Sequence, residues 1–444
     1  MDKLIKQIAK YVIEEDAFNE QAFETAKWAL IDALGCAIKA LNFPACRRLL
    51  GPLYEQTIPN GIPIPGTKFI LDPLTAAFNL GMMIRYLDYN DTWLAAEWGH
   101  PSDQLGAYLA LCSQKQFSLK KLLTAAIKGY EIQGILALNT SYNQIGLDHV
   151  ILVKIASSAI STWLLGGSQT QIEDALSQAF IDNAPLRTYR HFPNTGSRKS
   201  WAAGDAAARG LQLAFWTMRG EEGYASALTA PQWGVQDALF KGQPLTLAQP
   251  LASYVMENIL FKVKYPVEFH AQTAVEAAIA LCPHLSIQQI KRITIETQKP
   301  AMRIIDKKGP LRNAADRDHC LQYAVAIALL KGNLTAQDYE EADEKADALR
   351  EKMEVVENPK FTEGYYDLKR RSIANSITIE MLDGTILGPV IVEYPLGHPR
   401  RREEALPFLR EKFIQNTNHA EWLPLFEKME MPVDVLLKEF SNNE

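Results

Sequence analysis

For its first 260 or so residues this chain repeats apolar side chains at close to a 3.6-residue spacing, and that pattern restricts it to packed helices. The clearest runs are 21–41, 119–137, 149–165 and 170–181. Residues 201–217 are rich in alanine, which suits a tightly packed internal helix. Near Pro266 the character changes. Ile290 to Gln298 alternates and is rich in β-branched residues, and Ser376 to Tyr394 reads as two strands joined at Asp383-Gly384. Helices are expected between them at 268–282 and 317–331. Helical spacing returns at Arg402–Phe413, Glu421–Lys428 and Val433–Phe440. The expected fold class is mainly α with a smaller α/β (α+β) domain: residues 1–265 and 401–444 form the helical part, 266–400 the small one. The acidic, lysine-rich run 338–356 is expected to be a solvated helix face.

Bulk properties exclude several classes. A net charge of −6 without a basic tail argues against nucleic-acid or membrane-surface partners. No apolar run approaches membrane-spanning length, and Met1 to Lys6 lacks the apolar core of a signal peptide, so a cytoplasmic location is expected. The five cysteines (Cys36, Cys46, Cys112, Cys282, Cys320) are scattered and odd in number, with no Cys-x-x-Cys pair. That pattern disfavours a disulfide framework, a zinc ribbon and a closely spaced iron–sulfur motif. No phosphate-binding glycine loop, dinucleotide fingerprint or His-Glu-x-x-His is present, so neither a cofactor nor a metal is expected.

The residues that carry chemistry gather where helical patterns stop. In 85–103 a helical pattern gives way to acids, a hydroxyl, two tryptophans and a histidine. Asp88 and Thr92 lie four apart and would share a face if the helix continued. A carboxylate near a helix C-terminus opposes the macrodipole, which would raise the pKa of Asp88. His100 follows in a Gly-His-Pro turn, where Pro101 biases it away from helical geometry. These side chains suit proton movement on a small polar substrate, although a solvated helix end gives the same pattern.

A second stretch runs from Leu186 to Asp205. No carboxylate lies between Asn183 and Gly204, while Arg187, Arg190, Arg198 and Lys199 supply four cations. The loop Phe192-Pro-Asn-Thr-Gly196 then leads into the alanine-rich helix. Cations beside a helix start make an anion site, and Lys199 there should have a depressed pKa. His149 follows Asp148, a plausible N-cap, where an apolar helix begins; the positive helix end favours its neutral, basic form. In the small domain Asp316–Tyr323 is expected to open a helix on which His319 and Tyr323 share a face. His270 and the cations Arg303, Lys307, Lys308 and Arg312 complete the inventory; Arg400-Arg401-Arg402 reads as solvated surface.

Taken together, Arg85–Asp103, Gly129–Gly134, Arg187–Asp205, Pro266–Ala277, Arg303–Leu311, Asp316–Tyr323 and Glu393–His398 resemble the MmgE/PrpD family, in order, from about residue 5 to 410. The resemblance implies a helical body built from the N-terminal part plus the C-terminal tail, an α/β lid with the site in the cleft, and commonly a homodimer. It implies loss of water from the tricarboxylate (2S,3S)-2-methylcitrate, giving 2-methyl-cis-aconitate in propionate breakdown, with citrate as a side substrate. It implies chemistry without an iron–sulfur cluster. Matching motifs carry the family's site onto Asp88, Thr92, His100, His149, Lys199 and Tyr323, with Arg198, His270, Arg303 and His319 as further binding candidates. His149 or Asp88 is expected as base, and His100 or Tyr323 as the acid that protonates the leaving hydroxyl. The alternatives are a decarboxylase of the same family acting on cis-aconitate, and a non-catalytic anion-binding protein.

Overall fold

The computed structural model describes residues 1–54, 58–191, 193–367 and 369–441. The chain divides into two compact units: Met1–His191 with Arg198–Leu260 and Leu409–Glu444, and Phe192–Ser197 with Phe261–Phe408.

The first unit is helical, as its spacing requires. Its long helices are α1 (Lys3–Glu14), α2 (Glu20–Ala40), α3 (Pro73–Arg85), α4 (Leu105–Gln114), α5 (Leu119–Asn139), α6 (Val150–Leu164), α7 (Gln169–Ile181) and α8 (Arg198–Thr217). Local chemistry fixes several starts. Asp72 accepts from the N–H groups of Leu74 and Thr75, with Pro73 pre-set for the first turn of α3. Ser168 and Gln171 form a capping box on α7. Helices α4, α5 and α6 are buried on nearly every face, which places them at the centre of this unit.

Three glycines let backbones touch there. A Cβ on Gly204 of α8 would lie 2.3 Å from the Phe78 carbonyl of α3, and one on Gly106 of α4 would lie 2.6 Å from the Gly81 nitrogen. Helices α3, α4 and α8 therefore cross at a separation only glycine permits, and this crossing sets where Arg85 and Lys199 emerge.

The second unit is built on a four-stranded sheet. Its strands are β1 (Ile290–Thr297), β2 (Met353–Glu357), β3 (Asn375–Met381) and β4 (Ile386–Val392), in the order β2-β1-β3-β4. β1 runs parallel to β2 and antiparallel to β3. The hairpin at Asp383-Gly384 joins β3 to β4, with Gly384 at φ +89°. Helices α9 (Gln272–Leu281) and α10 (Leu321–Lys331) cover the sheet, and Val275, Ala278, Ile293, Ile295, Ile327, Ile377 and Ile379 share the resulting core. A last long helix, α11 (Arg402–Thr417), crosses from one unit into the other along the chain.

One expectation fails here. The run 338–356 is not one solvated helix: only Glu344–Arg350 is α-helical, and Met353–Glu357 becomes the edge strand β2. Alternating acids and apolar residues on an edge strand mimic a charged helix face. The arginine run also departs from plain surface, because Arg401 pairs with Glu276 and Glu404 and Arg402 lies over the Phe261 ring.

Candidate active site

Helix α3 stops at Arg85, and residues 86–100 form no helix. Asp88 sits at φ +50°, in left-handed space that a helix cannot continue through. Thr92 then makes paired main-chain hydrogen bonds with Leu260, at 2.8 and 3.0 Å. Asp88 and Thr92 thus do not share a helix face. They meet instead around His100: its Nε2 is 3.5 Å from Asp88 Oδ1 and its Nδ1 is 3.4 Å from Thr92 Oγ1. Nδ1 also lies 2.7 Å from the Asp91 carbonyl. A carbonyl only accepts, so Nδ1 carries the hydrogen and Nε2 is the nitrogen that exchanges a proton.

Arg85 is buried and donates to Asp88 Oδ1 at 2.6 Å. Asp88 is therefore one half of an ion pair rather than a bare helix-end carboxylate. Behind this pair two more acids are wholly buried. Burial pushes Asp103 up to about 8 against the pull of Arg85. Burial likewise pushes Asp91 up to about 6, against hydrogen bonds from Tyr130 and Ser102.

His149, not Asp148, is the N-cap residue of α6, and no side chain caps the helix from that position; the Asp148 carboxylate, one residue earlier, accepts from the Val150 N–H at 3.2 Å. Arg190 clasps Asp148 through Nε and Nη2. Burial alone would raise the Asp148 carboxyl, but Arg190, together with His149 and Arg187, more than offsets it and holds the group well below the usual carboxylate range. Burial pushes His149 the other way, down to about 3, and the cations Arg190, Arg85 and Arg187 add to that against Asp148. The ring is neutral near pH 7. Among the described residues neither of its nitrogens has a hydrogen-bond partner, although Nδ1 is 3.4 Å from Asp148 Oδ1. Its ring centroid is 5.8 Å from that of His100.

The basic stretch is mostly committed. Arg190 is spent on Asp148, and Arg198 is paired with Asp205 at 3.2 Å, lies over the Trp201 ring and is substantially exposed. Sequence counting stopped one residue short of that neutralising aspartate. Arg187 is the better cation for an anion: it is buried over Trp98, 4.0 Å from Glu97, and among the described residues its Nη1 has no hydrogen-bond partner. Lys199 is buried in the first turn of α8. Of the loop 192–196, Phe192 lies outside the described residues.

In the second unit, His270 is fully buried in a single turn before α9. Its Nδ1 contacts Glu268 at 2.8 Å and its Nε2 contacts the Tyr365 hydroxyl at 3.1 Å. Arg303 is exposed on the helix Lys299–Ile305. His319 and Tyr323 do not share a helix face. The chain makes separate helices at Ala314–Arg317 and Leu321–Lys331, leaving His319 in the turn, where Nδ1 lies 2.7 Å from Asp318. The Tyr323 side chain is buried in the sheet core and its hydroxyl donates to the Asp338 carbonyl at 3.0 Å. That geometry gives the phenol a packing task and withdraws the support for an acid role.

Sequence reading overlooked Arg85, Asp91 and Asp103 as parts of the site, and gave Asp148 only a capping role. A usable signal existed: three aspartates and a glutamate fall in 88–103 among apolar and aromatic residues, which cannot all be buried without internal cations.

Comparison with known proteins adds an independent line. Models of the MmgE/PrpD N-terminal and C-terminal domains match residues 6–248 and 265–421. A protein of Escherichia coli (strain K12) described as 2-methylcitrate dehydratase is 52% identical over 434 residues, covering 94% of this chain and 90% of its own. One from Cupriavidus necator with the same description is 53% identical, with the same coverage. A protein of Yarrowia lipolytica described as mitochondrial 2-methylcitrate dehydratase is 50% identical, covering 94% and 84% of the two chains.

Proposed function

This chain belongs to the MmgE/PrpD family, and from that premise we propose that it is a 2-methylcitrate dehydratase, a hydro-lyase converting (2S,3S)-2-methylcitrate to 2-methyl-cis-aconitate and water. The observation that carries the chemistry is His149: a buried, neutral imidazole whose two nitrogens make no hydrogen bond among the described residues, set among arginines and beside a second imidazole.

The C–H bond to be broken is α to a carboxylate, so a base must take its proton while cations stabilise enolate-like charge. His149 is that base. Without substrate, burial and the surrounding arginines keep its pKa low; a trianion bound there supplies opposite charge and raises its basicity. Asp88 is the poorer candidate because Arg85 already holds it. His100 is the acid for the departing hydroxide. With Nδ1–H on the Asp91 carbonyl, Nε2 is the atom that takes up and then delivers the second proton, facing Asp88 at 3.5 Å. Arg187 and Lys199 are the binding cations best supported by burial, with Thr92 beside His100. Base and acid here are ordinary side chains, and we assign no metal to the step.

The protein is also proposed to be a homodimer with a cytoplasmic location. Exposed Trp216, Tyr224 and Trp233 in one stretch of the first unit support self-association. Among the described residues no helix is long and apolar enough to cross a membrane. Incubating the protein with (2S,3S)-2-methylcitrate tests the function: the proposal requires growth of alkene absorbance that survives a chelator. Release of carbon dioxide from cis-aconitate instead would indicate the decarboxylase.

A further inference from the structure

We propose that Asp91 is a positioning residue for the dehydration, its carboxylate fixing the main-chain carbonyl that holds His100 with the proton on Nδ1. The inference rests on the dehydratase reading and extends it by one residue.

Asp91 is used twice. Its carbonyl faces His100 Nδ1 at 2.7 Å, while its buried side chain ties down both flanks of that histidine. Oδ1 accepts from the Ser102 N–H at 3.1 Å and from the Ser102 hydroxyl at 2.7 Å, just beyond His100. Oδ2 accepts from the Tyr130 hydroxyl at 2.6 Å, which anchors the loop to the middle of α5. Residues 91 and 102 are thereby clamped together and onto a buried helix, with His100 between them.

A packing role alone would not select this residue. A buried carboxylate costs solvation energy that a neutral side chain of similar size avoids, and burial does raise this one. What the carboxylate adds is three aimed hydrogen bonds, which leave the Asp91 peptide one orientation. If that peptide turned, His100 could move its proton to Nε2 and lose the nitrogen that exchanges with substrate. An imidazole held in the wrong tautomer is a poor catalyst even where its position is kept.

The test combines kinetics with nitrogen NMR of protein labelled with 15N at histidine, on the full chain. Asp91→Asn should lower kcat at least about tenfold, with KM for 2-methylcitrate within about twofold. In the same sample the His100 signals should shift from the Nδ1–H form to an exchanging mixture. Tyr130→Phe keeps the carboxylate and should show the same two changes to a smaller degree; it serves if Asp91→Asn does not fold. An unchanged Nδ1–H signature in these variants overturns the proposal, whatever happens to kcat. Should wild-type protein fail to dehydrate 2-methylcitrate, the proposed function falls, while the NMR comparison still decides whether Asp91 sets the tautomer.

Discussion

His100 and His149 bring their imidazole rings to 5.8 Å although they lie 49 positions apart, and each has a carboxylate within 3.5 Å of a ring nitrogen. His100 has a carboxylate and a carbonyl against its nitrogens. His149 is fully buried, three arginines oppose its charge against Asp148, and among the described residues neither nitrogen has a hydrogen-bond partner. The second setting keeps the His149 ring free of a proton, the state from which a general base must start.

The Asp148–Arg190 pair should be indispensable to folding. Arg190→Leu leaves a buried carboxylate without its counter-ion and should cost about 3–5 kcal/mol, read as a fall in midpoint on chemical unfolding. Because Asp148 titrates below its unfolded value, its contribution is present above the ordinary carboxylate range and fades as pH falls. The deficit of Arg190→Leu should therefore shrink below about pH 4.

Glu131 gives the opposite pH sign. It accepts the N–H groups of Ala252 and Val255 at 2.9 and 2.8 Å, and burial, against those bonds, pushes its carboxyl up to about 7. A raised carboxyl disfavours the fold progressively as pH climbs from the unfolded value through the folded one. Glu131→Gln is insensitive to that proton. Its stability relative to wild type should improve by about 1.4 kcal/mol per pH unit between roughly pH 4.5 and 7, measured by unfolding at several pH values.

Tyr323→Phe separates packing from acid catalysis. With the hydroxyl bonded to the Asp338 carbonyl, the variant should lose about 1 kcal/mol of stability and keep near wild-type turnover. Turnover slowed by about a hundredfold or more, the size expected for a lost proton donor, would restore the phenol to the chemistry.

How far the chain discloses itself follows from how local each feature is. Helical spacing is local, so α2, α5, α6 and α7 lie within a residue or two of their expected bounds. The Asp383-Gly384 hairpin is equally local. The chemistry of 85–103 is visible as residue types, but its geometry depends on a left-handed Asp88 and on a main-chain bridge from Thr92 to Leu260, far along the chain. Arg190 gave no sign that its partner would be Asp148, 42 positions earlier. Tyr323 misled because the apolar pattern of α10 reads as continuous back to Asp316 when the three-residue break at Asp318–Cys320 is not seen.

The rest of the mechanism depends on His149 being the base, and steady-state turnover of (2S,3S)-2-methylcitrate by His149→Ala against wild type tests this most directly. Loss of one general base predicts turnover slower by roughly 10²–10⁴-fold, with the far-ultraviolet dichroism of the folded protein preserved. A folded His149→Ala enzyme turning over at the wild-type rate would contradict it.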